Sequence, residues 1–184
     1  MHLDMFNSSN FERGASVFKQ AIWFSLNGVL LSSWLPGSSW RRALLRAFGA
    51  KIGKGVILKP GIRVKFPWRL SIGDFSWIGE QVFVDNLGYV SIGSHACVSQ
   101  GAFLCTGSHD WTSNSFDLIV RPITVCDHAW VGAMSLLAPG AILGEGAVLS
   151  LGGVGKGELA PWTIYSGNPA KILSPRSTTE IEGF

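Results

Sequence analysis

The sequence has few charged residues and few cysteines, the residues on which nucleic-acid interfaces and disulfide-bonded folds depend. Only 15% of the 184 residues are charged, the net charge is +3, and there are four histidines and three cysteines. So small a positive charge, with no basic run interleaved with aromatic residues, argues against a nucleic-acid binder. Cys97, Cys105 and Cys126 show no C-x-x-C spacing. They therefore predict reduced thiols in a cytoplasmic protein.

Long hydrophobic runs are also missing. Residues 21–35 (AIWFSLNGVLLSSWL) are apolar, but fifteen residues fall short of the roughly 20 that span a membrane. The run begins too late, and lacks a convincing cleavage site, for a signal peptide. We expect a helix packed on the rest of the chain. Peripheral contact with a membrane surface is the alternative, because Trp23, Phe24 and Trp34 are bulky and arginines follow.

What the chain does have is an aliphatic residue at every sixth position. The spacing persists through most of residues 52–149, with two-residue slips at Leu70–Ile72 and Val90–Ile92. A period of six fits neither a helix nor a free alternating strand, and it is typical of a parallel β-helix of stacked coils. Each side of a coil would point one aliphatic residue inward and turn at a small residue, with glycine, asparagine and aspartate tolerating the positive φ of the corners. The sequence therefore predicts an all-β solenoid.

The repeat also divides the chain. We expect an N-terminal arm and two short helices over residues 1–49, the helices at about 21–48, and the β-helix over 50–156. Over residues 157–184, Pro161, Gly167 and Pro169 interrupt the period. They predict a turn-rich closing segment followed by a tail.

The repeat stops between Leu104 and Val125, where residues 110–121 lose the pattern. Loops on rigid scaffolds commonly carry binding residues. His109 stands at the base of this loop, and its position alone leaves a loop-anchoring role and a functional role open. His95 and His128 share one phase of the repeat and predict exposed corner residues.

Three motifs resemble, in this order, those of the hexapeptide-repeat acyltransferases: LCTGSHDW (104–111), RPITVCDHAWVGA (121–133) and PWTIYSGNPAKIL (161–173). The similarity is greatest to sugar and polysaccharide O-acetyltransferases of the colanic-acid kind, which are related to the maltose and galactoside acetyltransferases. It covers most of the chain. The resemblance implies a left-handed parallel β-helix with one protruding loop, a homotrimer with active sites between subunits, acetyl-CoA as co-substrate and no metal.

The resemblance also implies roles for single residues, with His109 as the general base. The last coils would contact CoA through Gly132, Ala133, Leu151, Gly152, Lys156 and Lys171. One departure concerns the phosphate contact, because relatives have Thr-Lys where this chain has Lys156-Gly157. The acceptor would meet polar and aromatic side chains able to hydrogen-bond hydroxyls or stack on a ring: Asp85, Asn86 and Trp111.

The implied chemistry suits these residues. A sugar hydroxyl is too weak an acid to attack a thioester unaided, whereas imidazole, with a pKa of about 6.5, can accept its proton. A backbone N–H near Gly132-Ala133 would stabilise the oxyanion. No acyl-enzyme is needed, so Cys105 is not expected to act as a nucleophile.

Other readings stay open. A zinc enzyme of the γ-carbonic anhydrase type shares the β-helix but needs three histidines with a short H-x₄-H pair, which His95, His109 and His128 do not provide. A non-catalytic scaffold would leave the interrupted repeat and the N-P-A-K run unexplained, and a non-sugar acceptor is a further alternative. We expect acetyl transfer to a sugar or exopolysaccharide precursor, in the cytoplasm or at the inner face of the membrane.

Overall fold

A computed structural model of the protein describes residues 2–7 and 11–177. The helices are a 3₁₀ turn at Leu3–Met5, α1 at Val17–Leu26 continued by a π turn at Asn27–Leu31, α2 at Ser39–Ala47, and a 3₁₀ turn at Pro67–Arg69. The strands are β1 Lys51–Ile52, β2 Ile57–Leu58, β3 Arg63–Val64, β4 Leu70–Ile72, β5 Trp77–Ile78, β6 Phe83–Asp85, β7 Val90–Ile92, β8 Cys97–Val98, β9 Phe103–Cys105, β10 Gly107–His109, β11 Leu118–Val120, β12 Ile123–Val125, β13 Trp130–Val131, β14 Leu136–Leu137, β15 Ile142–Leu143, β16 Val148–Leu149, β17 Val154–Gly155, β18 Glu158–Leu159, β19 Thr163–Ser166 and β20 Lys171–Pro175.

The predicted parallel β-helix is confirmed. Each of the first five coils contributes one strand to each of three parallel sheets, and the last coil contributes to two. The first sheet contains β1, β4, β7, β12, β15 and β18, the second β2, β5, β8, β13, β16 and β19, and the third β3, β6, β9, β14 and β17. The aliphatic residues of the repeat stack in register, as in Ile52 beside Ile72 and Ile72 beside Ile92. They form a continuous buried core along the solenoid.

The two-residue slips mark one corner of the triangle. Ile52 pairs with Ile72, so the first coil is two residues longer than three hexapeptides. The extra residues lie between the third and first sheets, where Pro67–Arg69 forms the 3₁₀ turn in the first coil. We call this edge the long corner. The interruption after Leu104 lies at the long corner too, since Val90 of β7 pairs directly with Ile123 of β12.

Positive φ values occur at the corners, at glycines as predicted and also at residues that were not predicted. Besides glycines, the left-handed positions in the solenoid hold large side chains, and no asparagine or aspartate is among them: Phe75, Gln81, His95, His128, Met134 and Trp162. Their side chains stack along the corner, as His95 does on His128 with ring centroids 5.3 Å apart. Stacking one coil above the next offsets the cost of the left-handed backbone, which single-residue preferences do not include.

The helices close the open end of the first coil with hydrogen bonds to its backbone. The Asn27 Oδ1 accepts from Val64 N at 3.3 Å, and Trp23 Nε1 donates to Val64 O at 2.9 Å. Ser38 Oγ both accepts from Leu58 N and donates to Leu58 O. An uncovered strand edge would invite pairing with another chain. The helices therefore act as a cap for the solenoid, and α1 begins at residue 17, before the position 21 expected from sequence.

At the other end, parallel pairing continues past residue 156. β18 pairs with β15 and β19 with β16, and β20 then returns antiparallel on β19. The period is lost there because the last coil is shorter, with Leu149 beside Tyr165. No helix among the described residues is long and apolar enough to cross a membrane.

Candidate active site

His109 projects from a hairpin inserted at the long corner. β10 and β11 pair antiparallel, with His109 opposite Leu118. The predicted loop over 110–121 thus comprises the tip and the return strand of a hairpin that starts at Gly107. Its base packs on the preceding coil, where Gly88 N donates to Thr106 Oγ1 at 2.9 Å.

The ring of His109 is held in one orientation and one tautomer. Its Nδ1 lies 2.8 Å from the carbonyl oxygen of Phe116, and the two rings stack with centroids 4.2 Å apart. A carbonyl oxygen can only accept, so Nδ1 carries a proton, and in the neutral imidazole the lone pair is then on Nε2. This is the arrangement that a general base requires.

A second aromatic contact comes from the N-terminal arm. The ring of Phe6 meets that of His109 edge-on, with centroids 5.3 Å apart. His2 N donates to Asn114 O at 2.8 Å, which ties the arm to the hairpin. Sequence reasoning missed Phe6, because nothing local in residues 2–7 signals a partner a hundred positions away.

The polar residues at the hairpin tip bond mainly to each other. Asp110 Oδ1 accepts from Thr112 Oγ1 at 2.6 Å and from Thr112 N at 2.8 Å, and these bonds lower the pKa of the Asp110 carboxyl. Asp117 accepts from Ser113 and Ser115. Trp111 is 79% exposed, so its ring is accessible.

The two acceptor-site residues expected on and after β6 have different environments. Asp85 forms an ion pair with Lys65 at 2.8 Å and is half-buried. Asn86 is fully buried, and its amide is used by the backbone of the coil below: Oδ1 accepts from Phe66 N at 2.8 Å, and Nδ2 donates to Phe66 O and Arg69 O. Asn86 therefore fixes the long corner, and we leave it out of the proposed acceptor site.

Cys105 does not have the environment of a nucleophile. Burial, the largest cause, raises the pKa of its thiol, and the sulfur donates to Gly107 O at 3.2 Å. A raised pKa means less thiolate at neutral pH. All three cysteines are free thiols.

A groove lies on the second sheet near the corner where the second and third sheets meet. A cavity of about 290 Å³ is lined by three of the predicted CoA residues, Gly132, Ala133 and Leu151, together with Ser99, Gln100 and Trp130. Gly152 joins this wall, because its N–H donates to Ala133 O at 2.9 Å. Trp130 was missed from sequence; its indole N–H donates to Ser99 Oγ at 2.8 Å, which sets the ring along the groove.

A backbone N–H in this wall, that of Ala133, has no acceptor among the described residues. The N–H groups of Gly132 and Met134 donate to Leu149 O and Gln100 O. Among the described residues, no acceptor for the Ala133 N–H is found between them. An unpaired N–H at the surface of a groove can bind a carbonyl oxygen or an oxyanion.

Lys156 and Lys171 are exposed and, among the described residues, make no ion pair. Lys156 follows β17 and Lys171 begins β20. Both ammonium groups are therefore free to meet anionic groups of a ligand at the last coils.

The described residues contain no group of three or more histidine, cysteine or acidic side chains that could hold a metal ion. His95 and His128 stack on each other at the corner between the first and second sheets, whereas His109 lies on the hairpin at the long corner. The three histidines do not converge.

Within one chain, His109 and the groove lie far apart. The hairpin leaves the third sheet after β9, whereas Gly132 and Ala133 precede β14 of that sheet. The hairpin and the groove thus lie at opposite edges of the third sheet, roughly 15 Å apart at a rise of about 3.3 Å per residue.

Comparison with known proteins places the chain in a family. No family model matches it. It is 36% identical over 170 residues, covering 91% of this chain and 93% of the relative, to an Escherichia coli protein described as the colanic acid biosynthesis acetyltransferase WcaF. A Vibrio cholerae hexapeptide-repeat acetyltransferase solved with acetyl-CoA superposes with a TM-score of 0.80 at 23% identity, covering 95% of this chain and 97% of the other. A galactoside acetyltransferase solved with CoA gives 0.78 at 17%, covering 87% and 82%. The chain belongs to the hexapeptide-repeat acetyltransferases.

Proposed function

We propose that the protein transfers the acetyl group of acetyl-CoA to a hydroxyl of a sugar or exopolysaccharide precursor, without an acyl-enzyme. The observation that carries the proposal is the tautomer of His109, whose Nδ1–H is engaged by Phe116 O at 2.8 Å. A histidine so fixed presents a basic Nε2 in a constant direction. The 36% identity to WcaF, which is named for colanic acid biosynthesis, supports a glycan precursor as the acceptor.

The reaction uses the two halves of the site in sequence. His109 Nε2 removes the proton of the acceptor hydroxyl as its oxygen attacks the thioester carbonyl. The Ala133 N–H donates to the oxyanion of the tetrahedral intermediate. The intermediate collapses by breaking the C–S bond, and the imidazolium returns its proton to the CoA sulfur. A positioned base contributes about 10²–10⁴-fold, and one oxyanion donor about 10²–10³-fold.

CoA would lie along the groove. Gly132 and Ala133 have side chains small enough to admit the thioester, and Leu151 and Gly152 form the wall of the next coil. Trp130 offers its ring face to the pantetheine arm. Lys156 and Lys171 would meet the phosphates as exposed cations at the end of the solenoid.

The complete site requires another copy of the chain. The outward residues of the first sheet are mostly polar, whereas those of the other two sheets are mostly apolar. On the second sheet they are Ile57, Trp77, Cys97, Trp130, Val148 and Ile164. On the third sheet they are Arg63, Phe83, Phe103, Leu136 and Val154. Two different apolar faces packing against each other form a heterologous contact that can close into a ring. We infer a homotrimer in which the hairpin of one copy meets the groove of its neighbour.

The acceptor would bind beside the hairpin. Trp111 presents an exposed ring for stacking on a sugar, and Asp85, whose Oδ1 is buried against Lys65, would offer its other carboxylate oxygen to a hydroxyl group.

The proposal is tested by replacing histidines in matched pairs. For His109→Asn we expect kcat to fall by about 10²–10⁴-fold with an unchanged KM for acetyl-CoA. His128→Asn serves as the control, because His128 is exposed at another corner and asparagine tolerates its φ of 59°. Thiol release from acetyl-CoA is followed with a panel of sugars and lipid-linked glycans. Full activity of His109→Asn would refute the proposed base.

A further inference from the structure

The outer face of α1 and of the π turn that follows it is apolar and largely exposed, and within it Phe24 also contacts Phe66, with ring centroids 6.2 Å apart. Trp23 is buried against the first coil, and so is Gln20. The opposite side of the helix carries Val17, Phe18, Ile22, Phe24 and Val29, of which Val17 and Phe18 are 81% and 75% exposed. We call these five residues the cap surface. Helices of soluble proteins normally place charged residues on the outer face, so this helix departs from the usual pattern.

Charge is absent from the helix face and concentrated around it. No charged residue occurs between Lys19 and Arg41. In contrast, eleven lysines and arginines and no acidic residue lie between Glu12 and Asp74, although the whole chain has a net charge of only +3. The capped end of the solenoid is therefore strongly positive, and the rest of the chain is negative on balance.

Several basic side chains at this end bond to uncharged groups. Arg46 bonds to Ile52 O and Gly53 O, and Arg42 to Val56 O. These partners are neutral carbonyl groups, so the guanidinium charges are not cancelled. Within residues 2–7 and 11–177, Lys59 and Lys65 are the members of the eleven that form ion pairs.

We propose that the cap surface docks the protein on a membrane containing anionic lipids. Apolar side chains on an exposed helix, flanked by basic residues, fit the boundary between acyl chains and negatively charged headgroups. A protein partner of ordinary composition would not require so large an excess of positive charge around the contact. The charge complementarity favours an anionic lipid surface over a second copy of this chain, whose corresponding end is equally positive.

The cap lies at the end of the solenoid, away from the sheet faces that we assign to the trimer. Its hydrogen bonds are made with β2 and β3 of the first coil. Three solenoids packed side by side would point three caps in one direction, and simultaneous contact would strengthen binding without new contacts in any one copy. Docking is independent of the identity of the acceptor.

The test uses the full-length protein and vesicles of phosphatidylcholine with about one third phosphatidylglycerol. We expect co-sedimentation with these vesicles and at least tenfold weaker binding to pure phosphatidylcholine or at high salt. Phe18→Ser combined with Val29→Ser should weaken binding by a further tenfold or more, because both side chains are exposed and would enter the acyl boundary.

Phe75→Asn is the matched control. Phe75 is 60% exposed, lies at another corner, and has a φ of 56° that asparagine tolerates. Its binding to vesicles should equal that of the wild type. Equal binding by the Phe18/Val29 double variant, or no binding of the wild type to anionic vesicles, would overturn the proposal. A change in the double variant's oligomeric state without vesicles would also overturn it, since the cap surface would then contact another copy.

Discussion

The proposed division of the active site between copies gives a quantitative prediction. The first variant, His109→Asn, removes the proposed base. The second, Ala133→Trp, fills the groove, because an indole would occupy much of a cavity of about 290 Å³. Each variant alone should retain at most about 10⁻² of the wild-type kcat/KM. Both positions are at the surface of the solenoid, so we expect both variants to fold.

Mixing the two variants should restore activity. If a site takes its hairpin from one copy and its groove from the neighbour, random assembly of equal amounts leaves about one quarter of the sites with both halves intact. The variants are co-expressed with two different tags, mixed trimers are purified on both, and thiol release is measured. Every mixed trimer purified on both tags, whether 2:1 or 1:2, keeps one of its three sites intact, so recovery from about 1% to roughly one third of wild-type activity is expected.

A control distinguishes this arrangement from a site within one copy. The double variant His109→Asn/Ala133→Trp is mixed with an equal amount of wild type. A shared site predicts about one quarter of full activity, whereas a site within one copy predicts about one half. The reasoning is refuted if the two single variants show no recovery on mixing while the wild-type mixture keeps half its activity.

Three further predictions concern stability and binding. Asn86→Ala leaves the buried backbone groups of Phe66 without partners, so the free energy of unfolding should fall by about 2–4 kcal/mol. A loss below about 1 kcal/mol, measured by thermal or denaturant unfolding, would contradict this role of Asn86. Lys171→Ala should raise the KM for acetyl-CoA several-fold with little change in kcat, whereas an equal loss in kcat would remove Lys171 from the phosphate contact. The pKa of Asp110 is lowered in the folded hairpin, so the stability contributed by its bonds to Thr112 is present above the ordinary carboxyl pKa and is lost as the pH falls through the lowered value. Trp111 fluorescence during acid titration should report the loosening, and Asp110→Asn should lack this transition.

The period of six predicted the solenoid because it depends only on which side chains point inward. Ile52, Ile72 and Ile92 stack as the spacing requires. The two-residue insertions in the repeat before Ile72 and Ile92 also correspond to a structural feature. Both lie at the long corner, where the hairpin is inserted. The position of His109 at the interrupted repeat followed from the same pattern.

Other features depend on contacts that spacing does not encode. A polar residue after a strand can face a ligand or bond to buried backbone, and Asn86 does the second because its amide matches Phe66 N and O of the coil below. Phe6 reaches His109 only through the path of the arm. Nothing in the sequence distinguishes Trp130 from the other aromatic residues, and its place in the groove is evident only from the structure.

The register across the hairpin has a consequence for how this scaffold can diversify. β12 pairs with β7 as if the intervening residues were not there. Segments of different length and composition could therefore replace the hairpin without altering any strand partner above or below it. Acceptor preference could change by exchange of this one insertion, while the groove on the second sheet keeps the same donor.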